Sequence, residues 1–251
     1  MAANAPPWLI ARPIAHRGLH DARRGIVENT LEAAEAAISR GFAIECDVQL
    51  SADGEAMVFH DDALDRLTEA SGALADRTAA GLAAIRFKAG EAKIPRFRDL
   101  LDAVAGRAPI VCEIKSAFDR DVRLADAVAA LAAGYQGPLA FKSFDPFVIA
   151  HLRRAALDRP LGIVAEASYD GAGWRFLSPA QKLECANFLH YDATRPDFVS
   201  FSVRDLPHPT PFLLRRLAGT PIMAWTVRSA EQREKARQWA DQIVFEGDVA
   251  T

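Results

Sequence analysis

Short apolar runs alternate with amphipathic or alanine-rich stretches along the whole chain. The apolar runs predict strands near 12–16, 42–50, 109–115, 138–143, 161–165, 197–202, 221–227 and 242–246. The stretches with helical periodicity predict helices near 29–40, 97–106, 119–133, 145–157, 178–189, 209–218 and 230–240. Such alternation is typical of parallel βαβ units.

Eight strands in a chain of 251 residues favour an α/β fold, a TIM (β/α)8 barrel, as one catalytic domain over residues 1–251. An open doubly wound sheet is the alternative, because periodicity alone does not separate the two. Residues 61–95 break the alternation, and we expect them to form a small insertion after the second strand. Asn29 with Glu32 three residues later fits a capping box, and Gly41 is expected to end that helix.

Composition and charge argue against nucleic acid and membranes as partners of this protein. Half of the residues are hydrophobic, a quarter are charged and the formal net charge is −3, which is typical of a globular protein without a large footprint for nucleic acid. The N-terminal residues show neither a signal peptide nor a membrane span, so we expect a soluble, cytoplasmic protein without stable membrane insertion. Cys46, Cys112 and Cys185 lack CxxC spacing, which favours buried thiols in a reducing compartment.

The strand at 42–50 carries acids where a buried parallel strand normally carries valine or isoleucine. Alternation places Glu45 and Asp47 together on the face opposite the apolar residues, and it places Glu113 and Lys115 together on the next predicted strand. Three neighbouring carboxylates repel one another, and a hard divalent cation such as Mg²⁺ or Ca²⁺ would relieve that repulsion. The alternative is a salt-bridge cluster with Lys115 and a nearby arginine.

Two histidines follow short apolar runs at predicted strand ends, His16 in IAHRG and His60 in AMVFHDD. Imidazole titrates near neutrality, so such a pair suits general base and general acid roles. Arg17 adds a planar cation suited to phosphate, and Lys115 would neutralise an anionic substrate. We interpret the whole set as a site for phosphoryl-transfer chemistry.

Several short motifs in this order resemble the glycerophosphodiester phosphodiesterase family. They are HRG (16–18), ENT (28–30), ECDVQLSADG (45–54), HDD (60–62), LDRLT (64–68), IPRFRDLLD (94–102) and EIK (113–115), with looser agreement at FKSFDP (141–146) and AWTVRS (224–229). The resemblance implies a (β/α)8 barrel with an insertion after the second strand. It also implies hydrolysis of a small-molecule glycerophosphodiester to sn-glycerol 3-phosphate and an alcohol.

The resemblance also implies roles for individual residues. One divalent cation, Mg²⁺ or Ca²⁺, would bind Glu45, Asp47 and Glu113, while His16 as base and His60 as acid would move protons. Arg17 and Lys115 would contact phosphate, and Glu28 would orient Arg17 or a metal-bound water, unless it is only a loop carboxylate. Either water or the glycerol hydroxyl next to the phosphate would attack, the latter through a cyclic phosphate.

The chain departs from the family pattern near its end. The last predicted strand continues as EGDVAT, without the usual Thr-Asp pair and following helix, so that either the chain is truncated or the barrel is closed differently. Glu246 is expected to fill part of the pair's role. Trp225, near the end of the seventh strand, is expected to bind substrate, and Trp174 in the loop 168–178 is a weaker candidate.

Two other functions are alternatives to the hydrolysis of glycerophosphodiesters. A lysophospholipase D or sphingomyelinase-D-like lipid phosphodiesterase would use the same ligands, but no amphipathic membrane helix is evident in the sequence. A non-catalytic barrel that binds a phosphate ligand would have lost a histidine or a metal ligand, and every core motif position is present.

Overall fold

The computed structural model describes residues 5–248, and they divide into two compact units. The N-terminal unit comprises Ile14–Lys115 and Asp121–Leu139. The C-terminal unit comprises residues 5–13, 116–120 and 140–248 of the described chain. Each unit is built on parallel strands that alternate with helices.

The N-terminal unit has β2 at its centre. This strand (Ala43–Leu50) pairs in parallel with β1 (Ile14–Ala15) and β4 (Ile110–Ile114) and antiparallel with β3 (Ala56–Val58). Asp47 on β2 lies directly opposite Glu113 on β4. The elements are β1 (Ile14–Ala15), α1 (Leu31–Ser39), β2 (Ala43–Leu50), β3 (Ala56–Val58), α2 (Ala79–Ala84), α3 (Phe97–Val104), β4 (Ile110–Ile114) and α4 (Arg123–Gly134).

Helix α1 begins one residue later than the capping pattern predicts. Thr30 is the N-cap, and its hydroxyl accepts a hydrogen bond from the backbone amide of Ala33. Asn29 has a left-handed backbone with φ of 58° and bonds to Asp47, so the predicted Asn29 capping box is wrong. Gly41, with φ of 74°, follows the helix end as predicted.

The insertion after β3 has an apolar core of its own. It contains α2 and two short 3₁₀ turns, Leu64–Arg66 and Leu74–Asp76. Its buried side chains pack around Met57, which lies in β3, and Phe59, which follows β3. They include Leu64, Leu74, Leu82, Phe87 and Ile94. This core fixes the path of the insertion.

The C-terminal unit contains five consecutive strands, with parallel pairing shown from β5 through β9. The helix predicted over 209–218 is a short α-helix followed by a π-helical turn, Leu214–Ala218. The elements are β5 (Leu139–Ser143), α5 (Pro146–Arg154), β6 (Leu161–Ala165), α6 (Pro179–Asn187), α7 (Tyr191–Thr194), β7 (Phe198–Ser202), α8 (Pro209–Leu213), β8 (Ile222–Val227), α9 (Ala230–Trp239) and β9 (Gln242–Phe245).

The fold class is the (β/α)8 barrel that the sequence predicts. Within residues 5–248, β1, β2 and β4–β9 are the parallel strands, and helices alternate with them. The three cysteines are buried and none forms a disulfide. Among the helices of this described part, none combines the length and apolarity needed to cross a membrane. The single catalytic domain and the cytoplasmic location stay predictions.

Candidate active site

Three carboxylates of the N-terminal unit converge from two neighbouring parallel strands. Glu45 and Asp47 lie on one face of β2, and Glu113 extends from the facing position of β4. All three are buried, and one ligand oxygen from each lies within 4.8 Å of the others. Buried carboxylate oxygens at this spacing form a donor set that fits a hard divalent cation.

Lys115 lies among these carboxylates. Its Nζ is 2.8 Å from Asp47 Oδ1 and 2.6 Å from Glu113 Oε1. Burial alone would lower the pKa of Lys115, but Asp47 and Glu113 more than offset this and raise it above the usual range. The Lys115 ammonium therefore stays charged, and it partly neutralises the negative charge of the three carboxylates. The salt bridges of the alternative interpretation are thus present in the structure.

Arg17 follows β1 in a left-handed conformation with φ of 56°. Its backbone amide donates to Glu45 Oε2 at 2.9 Å, while its Nη1 donates to Glu28 Oε1 at 2.7 Å and its Nε lies 3.3 Å from Asp47 Oδ2. Burial lowers the pKa of Arg17, but Asp47 and the two glutamates outweigh this and raise it. Arg17 is therefore a fixed cation beside the carboxylates.

The two histidines differ in exposure and in partners. His16 is 8 % exposed, and its Nε2 lies 3.9 Å from Glu45 Oε2. The His60 side chain is 32 % exposed, and its Nδ1 is 2.7 Å from Asp61 Oδ1. A proton on Nδ1 satisfies this bond and leaves Nε2 as the nitrogen that can exchange a proton.

Both histidines, His16 and His60, lie close enough to Asp47 to affect its pKa. Burial alone would raise the pKa of Asp47. Lys115, His60, Arg17 and His16 more than offset that effect and hold its pKa well below the usual range. Asp47 is therefore an anion in the folded protein, which is the state that a metal ligand requires.

Glu28 and Asn29 contact Arg17 and Asp47 from outside the group of three carboxylates. Glu28 accepts a hydrogen bond from Arg17 Nη1 at 2.7 Å, and its role as an orienting residue stays a prediction. The Asn29 side chain donates to Asp47 Oδ2 at 2.9 Å and accepts from the Asp47 backbone amide at 3.1 Å. The sequence analysis missed this role for Asn29, although the ENT motif contains it.

The insertion supplies two more residues that sequence reasoning missed. Asp61 accepts from His60, and Arg66 donates to both Asp61 and Glu28. Burial raises the pKa of Asp61, but Arg66 and His60 outweigh it and lower the pKa. The local signals for this arrangement were the motifs HDD and LDRLT, which contain Asp61 and Arg66.

Trp225 lies in β8 of the C-terminal unit, where its Nε1 donates to the Ser200 carbonyl oxygen at 2.9 Å. Its ring meets the Phe144 ring edge to face at 5.5 Å. Trp174 donates to the Glu166 carboxylate, and Glu246 accepts from Arg228. A role of Trp225 in substrate binding stays a prediction.

Comparison with known proteins identifies relatives over most of the chain. The model of the Glycerophosphoryl diester phosphodiesterase family matches residues 16–246. A glycerophosphodiester phosphodiesterase of Caldanaerobacter subterraneus is 37% identical over 112 residues, which are 41% of this chain and 44% of that protein. Glycerophosphodiester phosphodiesterase 1 of Bos taurus is 45% identical over 67 residues, 26% of this chain and 19% of that protein. The matched stretches span less than half of these relatives' own length.

Solved structures with the same fold cover the chain more completely. A phosphodiesterase of Oleispira antarctica, in complex with the product sn-glycerol-3-phosphate, aligns with a TM-score of 0.76 and 20% identity, over 95% of this chain and 93% of that chain. A glycerophosphodiester phosphodiesterase of Thermotoga maritima aligns with a TM-score of 0.70 and 25% identity, over 94% of each chain. These likenesses confirm the predicted fold class.

Proposed function

Because the chain belongs to the glycerophosphoryl diester phosphodiesterase family, we propose that it hydrolyses glycerophosphodiesters to sn-glycerol 3-phosphate and an alcohol. The observation that carries the proposal is the group of three buried carboxylates with Lys115 and Arg17 in contact with them. A phosphodiesterase of the same fold has been solved with sn-glycerol-3-phosphate as its product, which supports this product here.

Glu45, Asp47 and Glu113 are the residues that would hold one divalent cation, Mg²⁺ or Ca²⁺. When bound, this cation would polarise the phosphoryl oxygens and neutralise the charge that develops on them. Arg17 and Lys115 carry fixed positive charges beside these ligands, so they attract the phosphodiester and stabilise negative charge on its oxygens. Glu28 holds the Arg17 guanidinium in place.

The histidines move the protons. His16 takes the proton from the attacking oxygen, which belongs to water or to the neighbouring glycerol hydroxyl. Attack by the hydroxyl gives a cyclic phosphate, which water then opens to sn-glycerol 3-phosphate. His60 gives a proton from Nε2 to the leaving alkoxide, and the bond from Nδ1 to Asp61 holds its ring in place. Together they supply the base and the acid of the reaction.

A substrate panel tests the proposal. Glycerophosphocholine, glycerophosphoethanolamine, glycerophosphoinositol, a lysophospholipid and bis(p-nitrophenyl) phosphate are each assayed in EDTA, and then with excess Mg²⁺ or Ca²⁺. We expect sn-glycerol 3-phosphate from the glycerophosphodiesters only when a cation is present. Full activity in EDTA would contradict the metal site. Turnover of the lysophospholipid alone would favour the lipid phosphodiesterase, and binding without turnover would favour the non-catalytic barrel.

Cation binding has a readout of its own. Added Mg²⁺ or Ca²⁺ should raise the melting temperature, because a ligand that binds only the folded state stabilises it. Glu45→Gln should abolish the increase. Glu55→Gln is the matched control, since Glu55 pairs with Arg98 at the surface, and it should leave the increase unchanged.

A further inference from the structure

One arginine of the insertion binds two carboxylates at once. Arg66 Nη2 donates to Glu28 Oε1 at 2.7 Å and Nη1 donates to Glu28 Oε2 at 3.0 Å. Its Nε donates to Asp61 Oδ2 and its Nη2 also donates to Asp61 Oδ1 at 3.0 Å. Both oxygens of each carboxylate are therefore engaged by a single guanidinium, which fixes the orientation of both acids.

Each of these carboxylates in turn binds a residue of the proposed active site. Asp61 Oδ1 pairs with His60 Nδ1 at 2.7 Å, and Glu28 Oε1 accepts from Arg17 Nη1 at 2.7 Å. A continuous chain of charged contacts thus runs from His60 to Arg17, and Arg66 is its central member. Without that guanidinium, neither acid would be held in its orientation by a second strong partner.

We propose that Arg66 is a positioning residue of the phosphodiesterase site. Through Asp61 it keeps the His60 proton on Nδ1, so that Nε2 is the nitrogen that exchanges a proton with substrate. Through Glu28 it keeps the Arg17 guanidinium directed at the phosphate. The kinetic consequence rests on the proposed function, whereas the effect on the His60 ring does not.

The surroundings of Arg66 argue against a purely structural role. Its side chain is 47 % exposed and is not part of the apolar core of the insertion. The 3₁₀ turn that carries it is held independently, because Leu64 is fully buried in the core of the insertion and the Gly72 amide donates to Asp65. The turn should therefore keep its path when the Arg66 guanidinium is removed.

The test compares Arg66→Met with Arg98→Met in the full chain. Arg98 is a matched control because its side chain is 49 % exposed and pairs with Glu55 in the same unit. For Arg66→Met we expect kcat to fall about 10- to 100-fold, the range for residues that hold an active-site group in its orientation through a hydrogen bond. Arg98→Met should change kcat by less than about twofold, since isolated surface pairs contribute little.

Nitrogen-15 NMR of the histidine rings measures which nitrogen of His60 carries the proton. A purely structural role of Arg66 would leave this tautomer unchanged. In the unaltered protein at about pH 9, where a free imidazole is neutral, His60 should carry its proton on Nδ1. In Arg66→Met the population with the proton on Nε2 should increase. Arg66→Lys should restore only part of kcat, because one ammonium does not bind both oxygens of two carboxylates.

An unchanged His60 tautomer in Arg66→Met, together with a kcat equal to that of Arg98→Met, would overturn the proposal. If the unaltered protein hydrolyses none of the substrates, the function proposal fails, while the tautomer still decides the role of Arg66. If Arg66→Met does not fold, Arg66→Gln is compared with Arg98→Gln by the same two measurements and the same criterion.

Discussion

Asn29 and Asp47 exchange two hydrogen bonds across the N-terminal unit. The Asn29 amide donates to Asp47 Oδ2 at 2.9 Å, and its carbonyl oxygen accepts from the Asp47 backbone amide at 3.1 Å. Partners of this kind orient a ligating carboxylate and tune its affinity for a metal. Asn29 also donates a hydrogen bond from its backbone amide to the Arg17 carbonyl oxygen at 2.9 Å, so it joins the arginine loop, the segment 16–18 after β1, to the carboxylates.

Removing the Asn29 side chain should weaken metal binding. Glycine is the suitable replacement, because Asn29 has φ of 58° and glycine adopts that conformation without strain. For Asn29→Gly we expect about a 10- to 100-fold increase in the cation concentration needed for half-maximal activity. Asn187→Ala, at an exposed position in α6, should leave it unchanged. The same cation dependence in both variants would contradict the orienting role.

The sequence was sufficient for the parts of the site that depend on strand periodicity. Alternation along 42–50 places Glu45 and Asp47 on one face, and the structure puts that face opposite Glu113 through regular parallel pairing. Strand ends also predicted where His16 and Arg17 lie. These features are local, because the period of a strand fixes which side chains share a face.

The roles of Asn29 and Arg66 depend on contacts that sequence patterns do not encode. Asn29 and Thr30 are both good N-cap residues, and the choice between them is set by Asp47, which is distant in sequence. Arg66 reaches Glu28 across 38 positions of the chain, because the insertion folds back around its own apolar core. Local propensity contains no information on either contact.

His16 and His60, the proposed base and acid, should be required for turnover but not for folding. His16→Ala and His60→Ala should each lower kcat by about 100- to 10,000-fold, the range for loss of a general acid or base. His151→Ala, in α5 of the C-terminal unit, is the control and should retain activity. Steady-state kinetics with glycerophosphocholine, alongside circular dichroism, provide the measurement. Retained turnover in either active-site variant would exclude that residue from proton transfer.

Gly18 should be a site where even one methyl group disrupts the arginine loop. It has φ of +76°, and a Cβ at this position would lie 2.8 Å from the backbone carbonyl carbon of Ala33 in α1. Gly18→Ala combines a conformational penalty with a backbone clash, so we expect a loss of about 2–4 kcal/mol in the free energy of unfolding.

The variant Gly41→Ala separates the conformational penalty from the cost of the backbone clash. Gly41 has φ of +74°, but a Cβ there would have nothing within 4 Å. Gly41→Ala should therefore cost only the left-handed conformation, about 1–2 kcal/mol. Urea unfolding of both variants measures the difference. An equal loss in the two proteins would show that α1 moves away from Gly18 without cost.

His190 should make stability depend on pH independently of the active site. It lies in the C-terminal unit, where its ring contacts Phe188 and its Nδ1 is 3.1 Å from the Thr194 hydroxyl. Burial lowers the pKa of His190 to about 4 in the folded protein, below its ordinary value of 6.5. Between these values the unfolded chain binds a proton that the folded protein does not.

The free energy of unfolding should therefore fall as the pH falls from about 6.5 to about 4, with a contribution from His190 of at most about 1.4 kcal/mol per pH unit. His190→Asn keeps a polar atom near the position of Nδ1 but does not titrate, so its stability should decline less steeply over this range. Urea unfolding at several pH values measures both slopes, and His151→Asn is the control that should retain the original slope. Equal slopes for His190→Asn and the unaltered protein would mean that His190 becomes protonated without unfolding, and that its burial does not govern the acid sensitivity of the C-terminal unit.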